Sequence, residues 1–374
     1  MSFPVYLDYN ATTPVLSETM EVVLPLFTRD FGNASSNTHR YGFKAAELVK
    51  KSREQLASIL NCEPNELYFN SGSTEGINTA LKGLFWTHAA KGKHFISVLT
   101  EHKAVLDCLD FLETQGAEIS WLEVGKDGRI QLDELQKLIR PDTIAVCVML
   151  ANNETGVIQD IESISALVHQ AGSKLVCDAT QAVGKIPVDI QQLGVDVLAF
   201  SGHKCYAMKG IGGLFVRRKN PRVSLPPLLH GGGHENGLRS GTLNVPGIVS
   251  LATSLQLVYS GLTNEIERQK QLQQILEDGL QRLGCLTVAS QSPRLPNTTM
   301  ALLPGIKAEK LITQLPGFAF STGSACTSAI PKPSHVLVAM GYMEQADSSI
   351  RISLGRMTQQ ADIEAFLNAL GLVL

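Results

Sequence analysis

The feature of this sequence that most constrains its fold is the alternation of short apolar runs with helical patterns between about residues 40 and 215. The apolar runs have the length of strands, and their nearly continuous hydrophobicity is typical of strands buried on both faces of a sheet. Strands that alternate with helices form mostly parallel, doubly wound α/β sheets. The predicted strands are 67–70, 95–99, 119–124, 144–150, 175–179 and 197–200, and the predicted helices are 74–88, 104–115, 132–139 and 161–171.

The domain organisation follows from where this alternation stops. A turn-rich stretch at residues 226–234 interrupts it, and a long helical pattern follows from about residue 245 to residue 283. Beyond that pattern, short strands mix with terminal helices. We predict a large domain of residues 14–255 and a smaller α+β domain of residues 1–13 and 256–374. In doubly wound sheets ligands bind beyond the carboxyl ends of the strands, so we expect the functional site there.

Composition excludes several classes of function. The formal net charge is -3 and no long run of Lys or Arg occurs, which argues against binding nucleic acid or an anionic membrane. No stretch approaches the roughly 20 apolar residues of a spanning helix, and the first residues lack the pattern of a signal peptide. The 7 cysteines include no C-x-x-C pair, so neither a disulfide framework nor a metal site is expected. We therefore expect a cytoplasmic protein.

Two polar motifs at predicted strand ends suggest a cofactor. Lys204, in the segment Ser-Gly-His-Lys, follows a buried strand, where a lysine either forms an imine with an aldehyde or makes an ion pair just beyond the strand. Asp178 ends the strand one crossover earlier, where an aspartate also fits a helix cap. Together the two predict pyridoxal phosphate, because a buried carboxylate keeps its ring nitrogen protonated. Gln181 could then hydrogen-bond the ring hydroxyl.

Three further motifs each allow two interpretations. Ser73 and Thr74 stand between a strand and a helix, as in an anion site for a phosphate monoester or in a capping box. His102 opens the helix after another strand, where a histidine either lies on an aromatic cofactor or caps the helix. Asn153 could reach an oxygen of the cofactor or substrate. No glycine-rich pattern for a dinucleotide or a triphosphate is present.

In this order the motifs resemble those of the class V aminotransferase-like family of fold-type I pyridoxal-phosphate enzymes. Within that family the sequence is most similar to cysteine desulfurases of the nitrogen-fixation and iron–sulfur-assembly type. One difference is Ala34, where the family usually has proline in a loop. The resemblance extends over segments 6–14, 70–78, 101–107, 152–156, 178–184, 201–204, 230–242, 321–328 and 349–356.

The resemblance implies roles for individual residues. Lys204 would bind pyridoxal phosphate covalently, Asp178 would pair with its ring nitrogen, and His102 would stack on the ring. It also implies a homodimer in which one subunit reaches the phosphate of the other, in line with the common two-fold symmetry of oligomers. The remaining implied cofactor contacts are Ser73, Thr74, Asn153, Gln181, Ser201, His203 and, across the dimer interface, Thr242.

Two motifs select the reaction within the family. Arg351 matches the arginine that binds the substrate α-carboxylate, a task suited to a guanidinium. Arg356 is then a structural residue. In the reverse assignment Arg356 binds the carboxylate and Arg351 is structural. Cys326 matches the cysteine that receives the sulfur. Its segment, from about residue 321 to 333, is rich in Gly, Ser and Pro, and we expect an exposed, mobile loop. The rival thiol Cys205 is expected to pack in the interior.

The implied reaction converts L-cysteine to L-alanine and leaves a persulfide on Cys326, which is passed to sulfur-acceptor or scaffold proteins for iron–sulfur clusters or thiolation. Other reactions of the family remain alternatives: a selenocysteine, cystine or cysteine-sulfinate lyase, or an aminotransferase. A catalytically idle scaffold of the same fold is the alternative outside enzymes. The products distinguish them, since only a desulfurase makes alanine together with sulfide or a persulfide.

Overall fold

A computed structural model describes residues 3–322 and 333–374 of the chain. Its strands are β1 (Val5–Tyr6), β2 (Leu67–Asn70), β3 (His94–Val98), β4 (Glu118–Leu122), β5 (Thr143–Met149), β6 (Lys174–Asp178), β7 (Val197–Ser201), β8 (Gly212–Val216), β9 (Leu286–Thr287), β10 (Thr298–Leu302), β11 (Phe318–Ala319), β12 (Ser321–Thr322) and β13 (Ser349–Ser353). Its helices are α1 (Ser17–Val23), α2 (Pro25–Thr28), α3 (Arg40–Leu60), α4 (Ser73–Thr87), α5 (Lys103–Thr114), α6 (Leu132–Leu138), α7 (Ile161–Gln170), α8 (Ile190–Leu193), α9 (Val245–Ser260), α10 (Leu262–Arg282), α11 (Ala308–Gln314), α12 (His335–Ala339) and α13 (Gln360–Gly371).

The largest sheet of the described residues has seven strands in the order β2-β8-β7-β6-β5-β3-β4. The five strands from β3 to β7 pair in parallel, whereas β8 pairs antiparallel with both β7 and β2. The mostly parallel sheet predicted from the sequence is therefore confirmed. Each predicted strand and helix of this region is found, with its ends shifted by no more than two residues.

Alternate residues of the central strands pack against opposite faces of the sheet, as the two-residue period of a strand requires. In β6, Leu175 and Cys177 belong to the apolar core on one face, which also contains Leu56 of α3. Val176 belongs to the core on the other face, together with Leu81 of α4. Helices thus cover both faces, which is why the strands are apolar along their whole length.

The C-terminal part of the chain forms a separate antiparallel sheet, β12-β13-β10-β9 among the described residues, with α10 and α13 packed around its core. The N-terminal segment joins this part, because β1 pairs in parallel with β11 and Asp8 bridges to Ser353. Leu7 is fully buried in the same core. The division at residues 13 and 255 stays a prediction.

One helix prediction was wrong. The pattern from residue 245 to 283 is not a single helix but two, α9 and α10, which meet at Gly261 with a bend of 71°. Gly261 has φ −122° and ψ 15°, outside the helical region, and glycine is the residue that interrupts a helix at least steric cost. No single helix in the described ranges is long and apolar enough to cross a membrane, and α9 and α10 meet that criterion only as a bent pair.

Candidate active site

The predicted site residues follow the carboxyl ends of strands at one edge of the central sheet. Asp178 ends β6 and Ser201 ends β7, while His102 and Asn153 lie just beyond β3 and β5. Strand β2, which precedes Ser73, runs in the same direction as β7 because both are antiparallel to β8. The fold therefore brings motifs from five separate parts of the sequence to one edge, as the doubly wound architecture predicts.

Lys204 ends a single 3-10 turn, Gly202–Lys204, that follows β7. Its Nζ donates hydrogen bonds to the backbone oxygens of Asn10, at 2.5 Å, and Ala11, at 2.7 Å. The side chain is half-buried. These two oxygens belong to the N-terminal segment, so the amine lies where the two parts of the molecule meet.

His102 caps α5, and its protonation follows from that contact. The Ala104 N–H donates to Nδ1 at 3.1 Å, which requires a lone pair there and leaves the ring hydrogen on Nε2. Although the ring is open to the cleft, burial by surrounding protein lowers its pKa, nearby Asp178 raises it, and Lys204 lowers it further. The net effect is a pKa below the ordinary value, so the ring is neutral at pH 7.

Asp178 is buried, 5% exposed, and its Oδ1 accepts the Thr180 N–H at 2.9 Å. A second carboxyl, Glu101, lies nearby and is fully buried. Burial, with a smaller contribution from Asp178, raises the pKa of Glu101 well above its ordinary value. Glu101 Oε1 accepts the Met149 N–H at 2.7 Å, and Oε2 has no partner within the described residues. The arrangement favours a protonated Glu101.

The start of α4 is not a capping box, and its geometry is compatible with the predicted anion site. Its N-cap is Gly72, which has no side chain to cap the helix. The Ser73 N–H donates to Ser201 Oγ at 2.8 Å, and that hydroxyl donates to Ser73 Oγ at 2.9 Å. Gly212 permits this approach, because a Cβ there would lie 2.6 Å from the Gly72 Cα. A helix N-terminus with two hydroxyls favours a phosphate group.

The two other predicted phosphate residues are His203, in the turn after β7, and Thr74, in the first turn of α4. His203 Nδ1 contacts Thr12 Oγ1 at 3.2 Å, and burial, reinforced by the positive charge of Lys204, lowers the pKa of His203 to about 4. Thr74 is exposed and lines an open cleft of about 310 Å³ together with His102. The start of α4 thus borders a cleft that His102 also lines.

Arg351 and Asn153, the two residues predicted to bind substrate, are in direct contact. Arg351 is 3% exposed on β13 and donates from Nη1 to the Asn153 backbone oxygen at 3.0 Å and from Nη2 to Asp8 Oδ1 at 2.7 Å. In the described part of the chain Arg351 Nε and the Asn153 side-chain oxygen are buried without a partner. A ligand that accepts from Arg351 and donates to Asn153 would satisfy both.

Gln181 also belongs to the site, but its side chain is held by protein groups. It is 4% exposed, donates from Nε2 to the Asn10 backbone oxygen at 3.0 Å, and accepts from Lys185. Neither Asn10 nor Lys185 was predicted from the sequence. One signal could have indicated Asn10, because it is a polar residue in segment 6–14, the first segment over which the sequence resembles the family. Lys185 had none.

Thr242 lies outside this cluster and is exposed. Its segment is tied to the first turn of α4, because Arg239 Nε donates to Glu75 Oε1 at 2.9 Å. The exposed hydroxyl three residues further on is available to a second subunit. Its role across an interface stays a prediction.

Of the six cysteines in the described residues, five are buried. Cys205 is 1% exposed, its thiol lies 3.2 Å from the Gly202 backbone oxygen, and burial raises its pKa to about 12. The prediction that Cys205 packs in the interior is confirmed. Cys147 and Cys177 are fully buried in the central strands, and Cys285 is 6% exposed. Cys326 and most of the segment predicted to be a mobile loop lie outside the described residues.

The arrangement fits pyridoxal phosphate. The amine of Lys204, the buried carboxylate of Asp178 and the anion site at Ser73 are the groups that an aldehyde, a pyridine nitrogen and a phosphate require. The unpartnered oxygen of Asn153 adds a polar contact that a bound molecule would satisfy. In the described ranges no group of His, Cys, Asp and Glu side chains could hold a metal ion.

Comparisons with known proteins agree with this chemistry. Residues 5–366 match the aminotransferase class-V family. The cysteine desulfurase IscS of Anaeromyxobacter dehalogenans (strain 2CP-C) is 44% identical over 99% of this chain and 92% of its own length. That of Neisseria meningitidis serogroup C (strain 053442) is 44% identical over 96% and 90%. A solved structure of a NifS-like protein superposes with a TM-score of 0.93 at 35% identity, covering 99% of both chains.

Proposed function

Because this chain belongs to the class-V aminotransferase family, we propose that it is a pyridoxal-phosphate-dependent cysteine desulfurase. It takes L-cysteine, releases L-alanine, and collects the sulfur on a thiol of its own. The observation that carries the proposal is the convergence of Lys204, Asp178 and the anion site at one sheet edge, in a chain that resembles cysteine desulfurases over almost its whole length.

Pyridoxal phosphate, when bound, supplies an aldehyde that reacts with amines and a ring that withdraws electrons from the substrate α-carbon. We assign Lys204 as the amine that binds the aldehyde and Asp178 as the partner of the ring nitrogen. The imidazole of His102 would stack on the cofactor ring. The other residues that would hold the group are Ser73, Thr74, Asn153, Gln181, Ser201 and His203.

Three side chains act on the substrate itself. Arg351 binds the α-carboxylate, and its unpartnered Nε is a donor ready for that purpose. The Lys204 amine removes the proton from the α-carbon. His102 holds a hydrogen at Nε2 without a net charge, so it can donate to a group that becomes negative nearby.

Cys326 receives the sulfur. Its thiolate attacks the substrate sulfur, so that one S–S bond forms and the bond between that sulfur and the substrate Cβ breaks. The electron pair of the broken bond stays on carbon and takes up a proton, which gives the methyl group of alanine. The persulfide then passes to a sulfur-acceptor or scaffold protein. Cys205 does not compete, since burial keeps its thiol protonated and inaccessible.

We also propose a homodimer in which Thr242 of each subunit contacts the phosphate held by the other. The exposure of Thr242 supports this assignment. We also propose a cytoplasmic location. The six cysteines in the described ranges are all free thiols, as is usual in a reducing compartment.

The test is incubation of the holoenzyme with L-cysteine and a thiol reductant, followed by measurement of alanine and sulfide. Equal amounts of the two support the proposal. A keto acid instead of alanine would identify an aminotransferase. A protein that binds the cofactor but makes neither product would be an idle scaffold.

A further inference from the structure

Lys185 is a buried lysine that the proposed reaction does not use. It is 8% exposed, and its Nζ donates to two amide oxygens, Asn10 Oδ1 at 2.7 Å and Gln181 Oε1. An amine removed from water in this way needs a compensating arrangement, because an isolated charge in the interior is costly. Two neutral acceptors are an unusual choice for a lysine and suggest a specific purpose.

The backbone holds Lys185 firmly beside Gln181. Two successive turns follow β6, in which the Ala182 N–H donates to the Ala179 oxygen and the Lys185 N–H donates to the Ala182 oxygen, both at 3.0 Å. Gly184 has φ +82°, and a Cβ there would lie 2.7 Å from the Cys205 Cβ. The segment therefore packs directly on the turn that carries Lys204, and its position is not free to adjust.

The surroundings of the Lys185 amine disfavour its charged form. Burial, with smaller contributions from the positive charges of Lys204 and Arg351, holds the pKa of Lys185 well below its ordinary value. The amine has two acceptors here, Asn10 Oδ1 and Gln181 Oε1, and both belong to neutral amides.

This contact determines which way the amide of Gln181 faces. Its oxygen accepts from Lys185, and one hydrogen of Nε2 is donated to the Asn10 backbone oxygen at 3.0 Å. A flipped amide would place Oε1 against that backbone oxygen, where neither atom can donate, and it would remove the oxygen that now accepts from the Lys185 amine. The second hydrogen of Nε2 is the donor that Gln181 retains for a ligand.

We propose that Lys185 is a positioning residue that fixes the amide of Gln181 as a hydrogen-bond donor toward the ring oxygen of the cofactor. The proposal rests on the proposed function, in which Gln181 contacts the cofactor. An N–H donor stabilises the ionised form of a ring oxygen, so it lowers the pH at which the bound cofactor loses its proton. Lys185 thus sets a property of the cofactor without touching it.

The experiment is a pH titration of the visible absorption of purified holoenzyme, with the dissociation constant of the cofactor as a second readout. Lys185→Met removes both donors at similar side-chain length, and its titration midpoint is expected to rise by about one pH unit, the effect of losing one hydrogen bond to a charged group. Gln181→Leu is expected to produce the same shift. The double variant is expected to shift no further than either single variant.

Lys174→Met is the matched control. Lys174 begins β6, the strand that precedes Lys185, and its Nζ lies 3.9 Å from Asp196 Oδ1. Its loss removes a partly buried lysine at the end of that strand away from the site. Its midpoint is expected to equal that of the wild type. If Lys185→Met does not yield folded protein, Lys185→Leu is titrated in its place.

An unchanged midpoint in the Lys185 variant would overturn the proposal, as would a double variant whose shift is the sum of the two single shifts. Additivity would mean that Lys185 acts by a route other than Gln181, such as Asn10. The products from L-cysteine judge the proposed function separately. A wild type that binds cofactor but makes no alanine or sulfide would refute that function while the titration still decides the role of Lys185.

Discussion

Arg351→Lys tests how the substrate is held, because it keeps the positive charge and removes the forked geometry. A lysine amine in this position can still pair with Asp8, which now accepts from Arg351 Nη2 at 2.7 Å. It cannot also supply the unpartnered Nε, the donor that we assign to the substrate carboxylate. One hydrogen bond to a charged group contributes about 1.5–3 kcal/mol. Since about 1.4 kcal/mol is a factor of ten, kcat/KM for L-cysteine is expected to fall by roughly 10- to 100-fold.

The assay is steady-state alanine formation at saturating cofactor, with cofactor content measured in parallel. The loss is expected mainly in KM, because the carboxylate is bound both before and during the reaction. Arg356→Lys is the control, since the Arg356 backbone N–H donates to the Tyr206 hydroxyl at 2.8 Å and the residue is assigned a structural role. A large rise in KM for Arg356→Lys with normal KM for Arg351→Lys would reverse the assignment.

Three further predictions concern the cofactor site. Lys204→Ala is expected to abolish alanine formation and the covalent attachment of cofactor, measured by mass spectrometry after borohydride reduction; wild-type turnover would show that another amine serves. Asp178→Asn is expected to lower kcat roughly 10²-fold while cofactor affinity changes less, because a neutral amide no longer stabilises a protonated ring nitrogen; equal losses in both would contradict this. Gly212→Ala is expected to lower the free energy of unfolding by about 1–3 kcal/mol and to weaken cofactor binding, since its Cβ would lie 2.5 Å from the Phe200 oxygen; Gly317→Ala, with nothing near its Cβ, is the control in denaturant unfolding.

The central sheet could be predicted because each strand carries its own signal. Strand β6, for example, is five buried or half-buried residues that end in Asp178, and the polar residue itself marks the carboxyl end. Strand β8 was not predicted, because it begins with Gly212 and Gly213, which weaken the strand pattern. Glycine is needed there for packing, since a Cβ on Gly213 would lie 2.3 Å from the Phe200 ring. The break at Gly261 was missed for a related reason, because a single glycine is tolerated inside many helices.

Site residues that follow a strand could be predicted from the sequence. Site residues that are defined only by contacts with distant parts of the chain were missed. Lys204 and Asp178 each follow an apolar run, so their shared location could be inferred from the fold. Asn10 follows no predicted strand, yet it bonds to Lys185, to Thr298 at 2.9 Å and to Asn153. Such a hub is defined by tertiary contacts alone. Its one sequence signal was its place in segment 6–14 of the resemblance, which does not indicate these contacts.

The measurement that tests the account most directly is the fate of sulfur on Cys326. Wild type, Cys326→Ala and Cys205→Ala are each incubated with L-cysteine, alanine is quantified, and the peptide that contains residue 326 is weighed by mass spectrometry. We expect the wild-type peptide to gain the mass of one sulfur atom, Cys326→Ala to bind L-cysteine but release little alanine, and Cys205→Ala to behave as the wild type because its thiol is buried. Normal alanine formation by Cys326→Ala, with loss of activity in Cys205→Ala, would contradict the account.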